Sequence, residues 1–171
     1  DEMHSNCPDE KFTTGPRSSK LRFNLGIEPV EIKGHEISSL AFHSHEHSTY
    51  KTAHSRVQVY MLENDGTTLA VEVPIWIMPQ ELDGFGKIFD SDGPLSGHID
   101  ALRVENGKIW IWDYKPKAHK EKYATTQVFF YAYMLSKRTG IKLDDFRCGY
   151  FDEDVAYVFK PEEKMLDVIR N

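Results

Sequence analysis

Residues 97–131 read GHIDALRVENGKIWIWDYKPKAHKEKYATTQVFFY, and the fold turns on how this stretch pairs with itself. Asn106-Gly107 is its strongest hairpin signal, because both positions tolerate the positive φ that a two-residue turn demands. With those residues in the loop, Glu105 pairs with Lys108, Leu102 with Ile111 and Asp100 with Asp113. Alternation then puts Asp100, Leu102, Val104, Ile109, Ile111, Asp113 and Lys115 on one face, apolar near the turn and acidic at the open end. Two carboxylates placed opposite each other repel. A divalent cation between them reverses the sign of that interaction; a slipped register or a wet sheet edge is the ordinary alternative.

The hairpin is followed by a predicted helix over residues 119–138, ended by Gly140. On it Gln127 and Tyr131 stand at i and i+4 and project together. Taken alone, such a pair is ordinary packing. Upstream, a helix capped by Ser48 or Thr49 and running to about Leu62 would carry Tyr50, His54, Val57 and Met61 on one face. A lone histidine there is commonly a satisfied core residue.

Three short patterns, taken together, say more. Gly97-His98-Ile99-Asp100, Asp113-Tyr114-Lys115 and Gln127-Val128-Phe129-Phe130-Tyr131 resemble the G-x-x-D, D-x-K and Q-x-x-x-Y motifs of the PD-(D/E)XK nuclease superfamily, in its RecB-like branch. D-x-K alone is common by chance; the three in order on strand, strand and helix are not. The resemblance covers roughly residues 52–159. It implies an α/β fold, a restriction-endonuclease-like core with a central mixed β-sheet flanked by α-helices. It also implies a metal-dependent deoxyribonuclease, with exonuclease action as the leading form. Asp100, Asp113 and Lys115 are then the catalytic residues. His54, Asp100, Asp113 and the carbonyl of Tyr114 are the ligands of Mg²⁺ or Mn²⁺, and Gln127 and Tyr131 buttress the site or touch the nucleic-acid backbone. Some RecB-like nucleases hold an iron–sulfur cluster on four cysteines; Cys7 and Cys148 cannot supply four thiolates, so no cluster is expected.

Composition bounds these readings. At 171 residues the chain is long enough for one domain with a real core. A 40% hydrophobic fraction excludes wholesale disorder. No apolar run reaches membrane-spanning length and no signal-peptide pattern opens the sequence. With two cysteines outside any metal-type spacing, the expected setting is intracellular and reducing, cytoplasmic or nucleoid-associated. DNA is the expected partner, and a place in a larger nucleic-acid-processing complex is compatible with that. A net charge of −6 is awkward for a DNA enzyme, since phosphate binding calls for basic surface. The charge is uneven, however: Lys115, Lys117, Lys120 and Lys122 cluster just after the hairpin, and solvated loop lysines are the plain alternative.

In chain order, residues 1–20 are polar, show no apolar period and are expected to be flexible or loosely attached; residues 21–171 form the domain. Residues 21–33 suit a short strand or an extended arm. His43, His45 and His47 invite a zinc-binding alternative. A catalytically inactive nucleic-acid-binding module of the same fold is the other. Residues 67–78 alternate as a strand, with Pro74 marking an edge or a bulge and Glu72 facing away from the apolar set. Phe85 and Phe89 lie in the following loop, to pack in the core or stack on bases. Residues 146–151 and 155–159 read as two further strands, and residues 161–170 as a closing helix.

Overall fold

The structure, a computed structural model, describes residues 10–46 and 50–170. Six strands, β1 (Val30–Lys33), β2 (Thr68–Ile77), β3 (Leu95–Glu105), β4 (Lys108–Tyr114), β5 (Phe146–Phe151) and β6 (Val155–Phe159), form one sheet in the order β1-β6-β5-β4-β3-β2. The main helices are α1 (Glu36–His43), α2 (Ala53–Asn64) and α3 (Ala124–Thr139). All neighbouring strands run antiparallel except β4 and β5. A parallel pair needs a crossover, and α3 provides it. No helix among the described residues is long and apolar enough to cross a membrane.

The hairpin closes where the turn chemistry demands, with Asn106 and Gly107 at φ 51° and 70°. Glu105 pairs with Lys108 and Leu102 with Ile111, as expected, and β2 is an edge strand that tolerates Pro74. Helix α3 is buried from Ala124 to Leu135 on all sides, between the sheet and the segments carrying Leu21, Leu25, Phe85 and Phe89. A helix apolar all round must be covered in this way. The two phenylalanines are core residues, 4% and 8% exposed, and so are not open to bases. On the opposite face, α1 and α2 pack a smaller core of Ile37, Ala41, Val57 and Met61 against Ala101, Trp112 and Phe151. The result is helix, sheet, helix.

Arg103 ties the hairpin to that second layer. Wholly buried, it reaches Asp65 at 2.8 Å, Glu36 of α1 at 3.0 Å and Glu105 at 3.6 Å. Burial alone would raise the Asp65 carboxyl; hydrogen bonds from Arg103, Thr68 and Thr67 outweigh it and hold its pKa at about 2.

Several boundaries differ from the sequence expectation. Helix α3 starts at Ala124, because Ala118 N–H donates to the Asp152 carboxylate at 2.7 Å and fixes residues 118–120 in a separate turn. Helix α2 starts at Ala53, capped by Thr52, whose hydroxyl accepts from Ser55 N–H at 3.1 Å. Tyr50 therefore precedes the helix and does not share its face; Ser48 and Thr49, the expected caps, lie outside the described residues. The closing helix is a 3₁₀ turn, Glu163–Leu166, followed by Asp167–Arg170. Leu166 at the end of the first and Ile169 in the second are both buried and three apart, a spacing that puts them on one helix face. Of the segment expected to be loose, residues 1–9 lie outside the described residues. Residues 10–20 pack on the rim of β3: Ser96 N–H donates to Pro16 at 3.1 Å and Ser18 is 1% exposed.

Candidate active site

The β3–β4 ladder ends at Ala101 opposite Trp112. The next residues, Asp100 and Asp113, stand where the two strands part. In place of a ladder bond, Tyr114 N–H donates to the Asp100 carboxylate at 2.8 Å. Both aspartates are buried, at 9% and 2% exposure.

This corner is also where the sheet changes phase. Val73 and Ile99 pack in the larger core, whereas Val71 and Ala101, two residues along, pack in the smaller one. Strict alternation would have kept each pair on one face. Glu72, with φ 52°, absorbs the change in β2, a left-handed conformation uncommon for a residue with a side chain. The single face expected from Asp100 to Lys115 therefore breaks at Asp100. Leu102, Ile109 and Ile111 keep to the α3 side. Asp100 instead reaches His54 of α2, Nε2 to Oδ2 3.8 Å. Groups from helices on opposite faces can meet only where the sheet opens.

His54 is not a core residue. Its side chain is 43% exposed, with the ring edge-on to Tyr114 at 5.2 Å. Lys115 Nζ pairs with Asp113 Oδ2 at 2.8 Å. Gln127 Nε2 donates to Tyr131 Oη at 2.8 Å, and both side chains are buried. All the sequence-predicted residues thus lie around one corner, with Gln127 and Tyr131 behind it.

The electrostatics are one-sided. Burial pushes the Asp100 carboxyl well above the usual range, and the Asp113 charge pushes it further; Tyr114 N–H and Lys115 oppose them. Burial would lower the Lys115 ammonium, but Asp113, with Asp100 and Glu121, more than offsets it and the pKa is raised. Burial raises the Tyr131 phenol, with Asp113 adding to it.

Two further residues belong to the corner. Gln58, one turn after His54, donates through Nε2 to Glu72 at 2.5 Å and lies 3.3 Å from the carbonyl and 3.4 Å from the carboxylate of Asp100. Sequence reasoning missed Gln58, although an amide four residues after a candidate ligand was the available signal. Glu72 faces solvent as expected, yet its carboxylate turns back to Gln58.

Gly97 has a steric reason to be glycine. A Cβ there would lie 2.7 Å from Tyr131 Cε1 and 3.2 Å from Ser18 Cβ. Gly97→Ala is expected to lower stability by about 1–3 kcal/mol through overpacking. Urea unfolding measures it, and an unchanged midpoint would mean that Tyr131 is free to shift.

The histidine-rich turn forms no comparable corner. His43 Nδ1 is 2.8 Å from the Ser39 carbonyl, His45 pairs with Glu153 at 3.2 Å, and His47 lies outside the described residues. Among the described residues, no group of three or more His, Cys, Asp or Glu side chains is already drawn together as a metal cage, at the acidic corner or elsewhere. Cys148 is buried beneath α3, its Sγ 3.6 Å from the Val128 carbonyl; Cys7 lies outside the described residues.

The family model of the PD-(D/E)XK nuclease superfamily matches residues 29–166. The chain belongs to that superfamily. Its mixed six-stranded sheet with helices on both faces is the restriction-endonuclease-like fold of that assignment. A solved structure described as "Crystal structure of SSO0001" is similar at 16% identity, over 78% of this chain and 69% of that chain, with a TM-score of 0.41. No curated protein matches the sequence. Within the matched residues, Asp113-Tyr114-Lys115 reads D-x-K and spans the C-terminal end of β4.

Proposed function

We propose that the protein is a metal-dependent deoxyribonuclease of the RecB-like branch that removes nucleotides from DNA ends. One observation carries this reading. Two buried aspartates meet where a hairpin splays, and one lysine just past the end of β4 neutralises only part of their charge. Left alone, that arrangement is unfavourable, because buried charge must be paired. A hard divalent cation fits the donor set: carboxylates of Asp100 and Asp113, the half-exposed imidazole of His54 and the Tyr114 carbonyl. When bound, Mg²⁺ or Mn²⁺ supplies positive charge to the phosphate and acidifies water.

The chain's own groups do the rest. Lys115, fixed by Asp113, aims its ammonium at the attacking water or the phosphate oxygen. Tyr114 N–H orients the Asp100 carboxylate. Gln58 keeps Asp100 and Glu72 apart by bonding to both. Gln127 and Tyr131, buried and bonded to each other, fit the supporting role and not direct contact with substrate; the Tyr131 ring seats Gly97 and the strand leading to Asp100.

The direct test is incubation with labelled linear and circular DNA, single- and double-stranded, with Mg²⁺, Mn²⁺ or EDTA. Linear DNA should lose nucleotides from its ends with metal and stay intact in EDTA. Cleavage of closed circles would assign endonuclease action, and cleavage in EDTA would overturn the metal. His54→Ala is expected to weaken Mn²⁺ binding by about tenfold or more, in the range of lost metal-site groups, whereas His45→Ala leaves it near wild type. Calorimetric titration compares them. Weakening by His45→Ala alone would move the ligand role to the histidine-rich turn.

A further inference from the structure

Beside the acidic corner, residues 15–23 frame a cleft of about 650 Å³ that the chemistry above does not use. Its walls carry Arg17, Lys20 and Arg22, with Phe23 and Ile88 as apolar surface and Asp90 at the edge. Lys20 and Arg22 are exposed, Phe23 is half-buried, and none of the three cations forms an ion pair among the described residues. For a chain of net charge −6, this is a concentration of uncompensated positive charge.

The cleft adjoins the corner through β3. Arg17 bridges to Ser96, and its guanidinium lies 3.4 Å from the His98 ring. Gly97, between those two residues, abuts both Ser18 and the Tyr131 ring. On the other side, Arg22 lies over the Tyr123 ring at 5.7 Å and Asn24 Nδ2 donates to the Lys122 carbonyl at 3.4 Å. The first basic segment therefore runs beside the second, which carries Lys117, Lys120 and Lys122, all exposed and also without ion pairs among the described residues.

We propose that this cleft holds a single strand of nucleic acid next to the scissile bond, its phosphates on Arg17, Lys20 and Arg22 and a base against Phe23. The inference rests on the nuclease reading of the acidic corner. A volume of about 650 Å³ falls within the ordinary range for small ligands, roughly 300–1,000 Å³, which admits nucleotides and not a duplex. Cations that track a backbone beside an aromatic face are how single strands are bound without sequence preference. In a duplex the base faces are stacked away from such a surface.

Lys20→Glu/Arg22→Glu reverses the cleft charge without touching the corner. Lys137→Glu/Lys142→Glu makes the same charge change at the other end of α3, about 24 Å along the helix. Binding is read from the anisotropy of a short fluorescent oligonucleotide in EDTA. Hydrolysis is read on that oligonucleotide and on thymidine 5′-(p-nitrophenyl phosphate), a diester too small to need the cleft. The cleft variant should bind the single strand about tenfold or more weaker, with a salt slope shallower by about 0.7 for each phosphate the cleft no longer neutralises. It should hydrolyse the small diester as wild type does. Binding within about twofold of wild type, an equal loss in the distal variant, or a duplex bound as tightly as the strand would overturn the inference. If wild type hydrolyses neither substrate, the nuclease reading falls and takes the cleft with it. If wild type and cleft variant hydrolyse both alike, only the cleft falls.

Discussion

Asp113→Asn and Asp100→Asn are each expected to reduce cleavage to background and to abolish Mn²⁺ binding, yet to move the stability of the metal-free protein in opposite directions. Asp113 is the ion-pair partner of Lys115 at 2.8 Å, with side chains 3% and 17% exposed. Removing its charge strands a largely buried ammonium. Breaking a buried pair costs about 3–5 kcal/mol, here moderated because Asp100 also faces Lys115. Asp100 is the reverse case. Its pKa is raised, by burial first and by Asp113 second, so the folded protein keeps a proton that the unfolded chain has released. Between the ordinary carboxylate range and that raised value the folded state binds more protons, and stability falls as pH rises through the window. An amide at position 100 cannot ionise and escapes that fall. It can still accept from Tyr114 N–H through its oxygen. In EDTA at neutral pH, Asp100→Asn should therefore melt above wild type and Asp113→Asn below it, and the Asp100→Asn advantage should shrink as pH is lowered. Wild-type Mn²⁺ affinity in both variants would remove the proposed site; the same melting shift in both would show that the two carboxylates are not electrostatically distinct.

The contrast between these aspartates was only half legible in the sequence. The hairpin register was, because Asn106-Gly107 fixes the turn locally and period two carries it as far as Ala101 opposite Trp112, one pair short of the two aspartates. The Gln127–Tyr131 pair was too, because helical spacing is local. What escaped was set by contacts between distant segments. The phase change at Glu72 depends on two cores competing for one strand, and periodicity read along β2 alone shows no trace of it. The seating of residues 10–20 depends on a bond from Ser96 to Pro16, and the late start of α3 on Asp152, 34 residues beyond the Ala118 N–H that it holds. Gln58 escaped because a buried amide carries no motif; its meaning comes only from the two carboxylates it finds. The family match supplies the superfamily, and the positions of Asp100, His54 and Gln58 come from the geometry.

Lys115→Ala is expected to lower kcat by roughly 10²–10³, about 3–4 kcal/mol, the usual cost of one preorganised group aimed at developing charge. Lys115 follows Asp113 by two residues, directly past the end of β4, and the 2.8 Å pair holds the ammonium in place before substrate arrives. Preorganisation is the reason this lysine is expected to outweigh Lys117 and Lys120, which are exposed. Metal affinity should hold or rise, since the substitution removes a cation and leaves Asp113 without its competitor for the metal. Lys115→Arg should rescue poorly: a planar guanidinium keeps the charge but places its donors elsewhere in a pocket where the lysine side chain is only 17% exposed. The competing view makes Lys115 one of several lysines that attract a polyanion. Lys117→Ala and Lys120→Ala would then do equal harm, mainly through KM, and added salt would erase the differences. Single-turnover cleavage at saturating enzyme and Mn²⁺ separates the two, because saturation removes binding from the measured rate. A Lys115→Ala rate within a few-fold of wild type under those conditions would leave the ammonium as a counter-charge for Asp113 and nothing more.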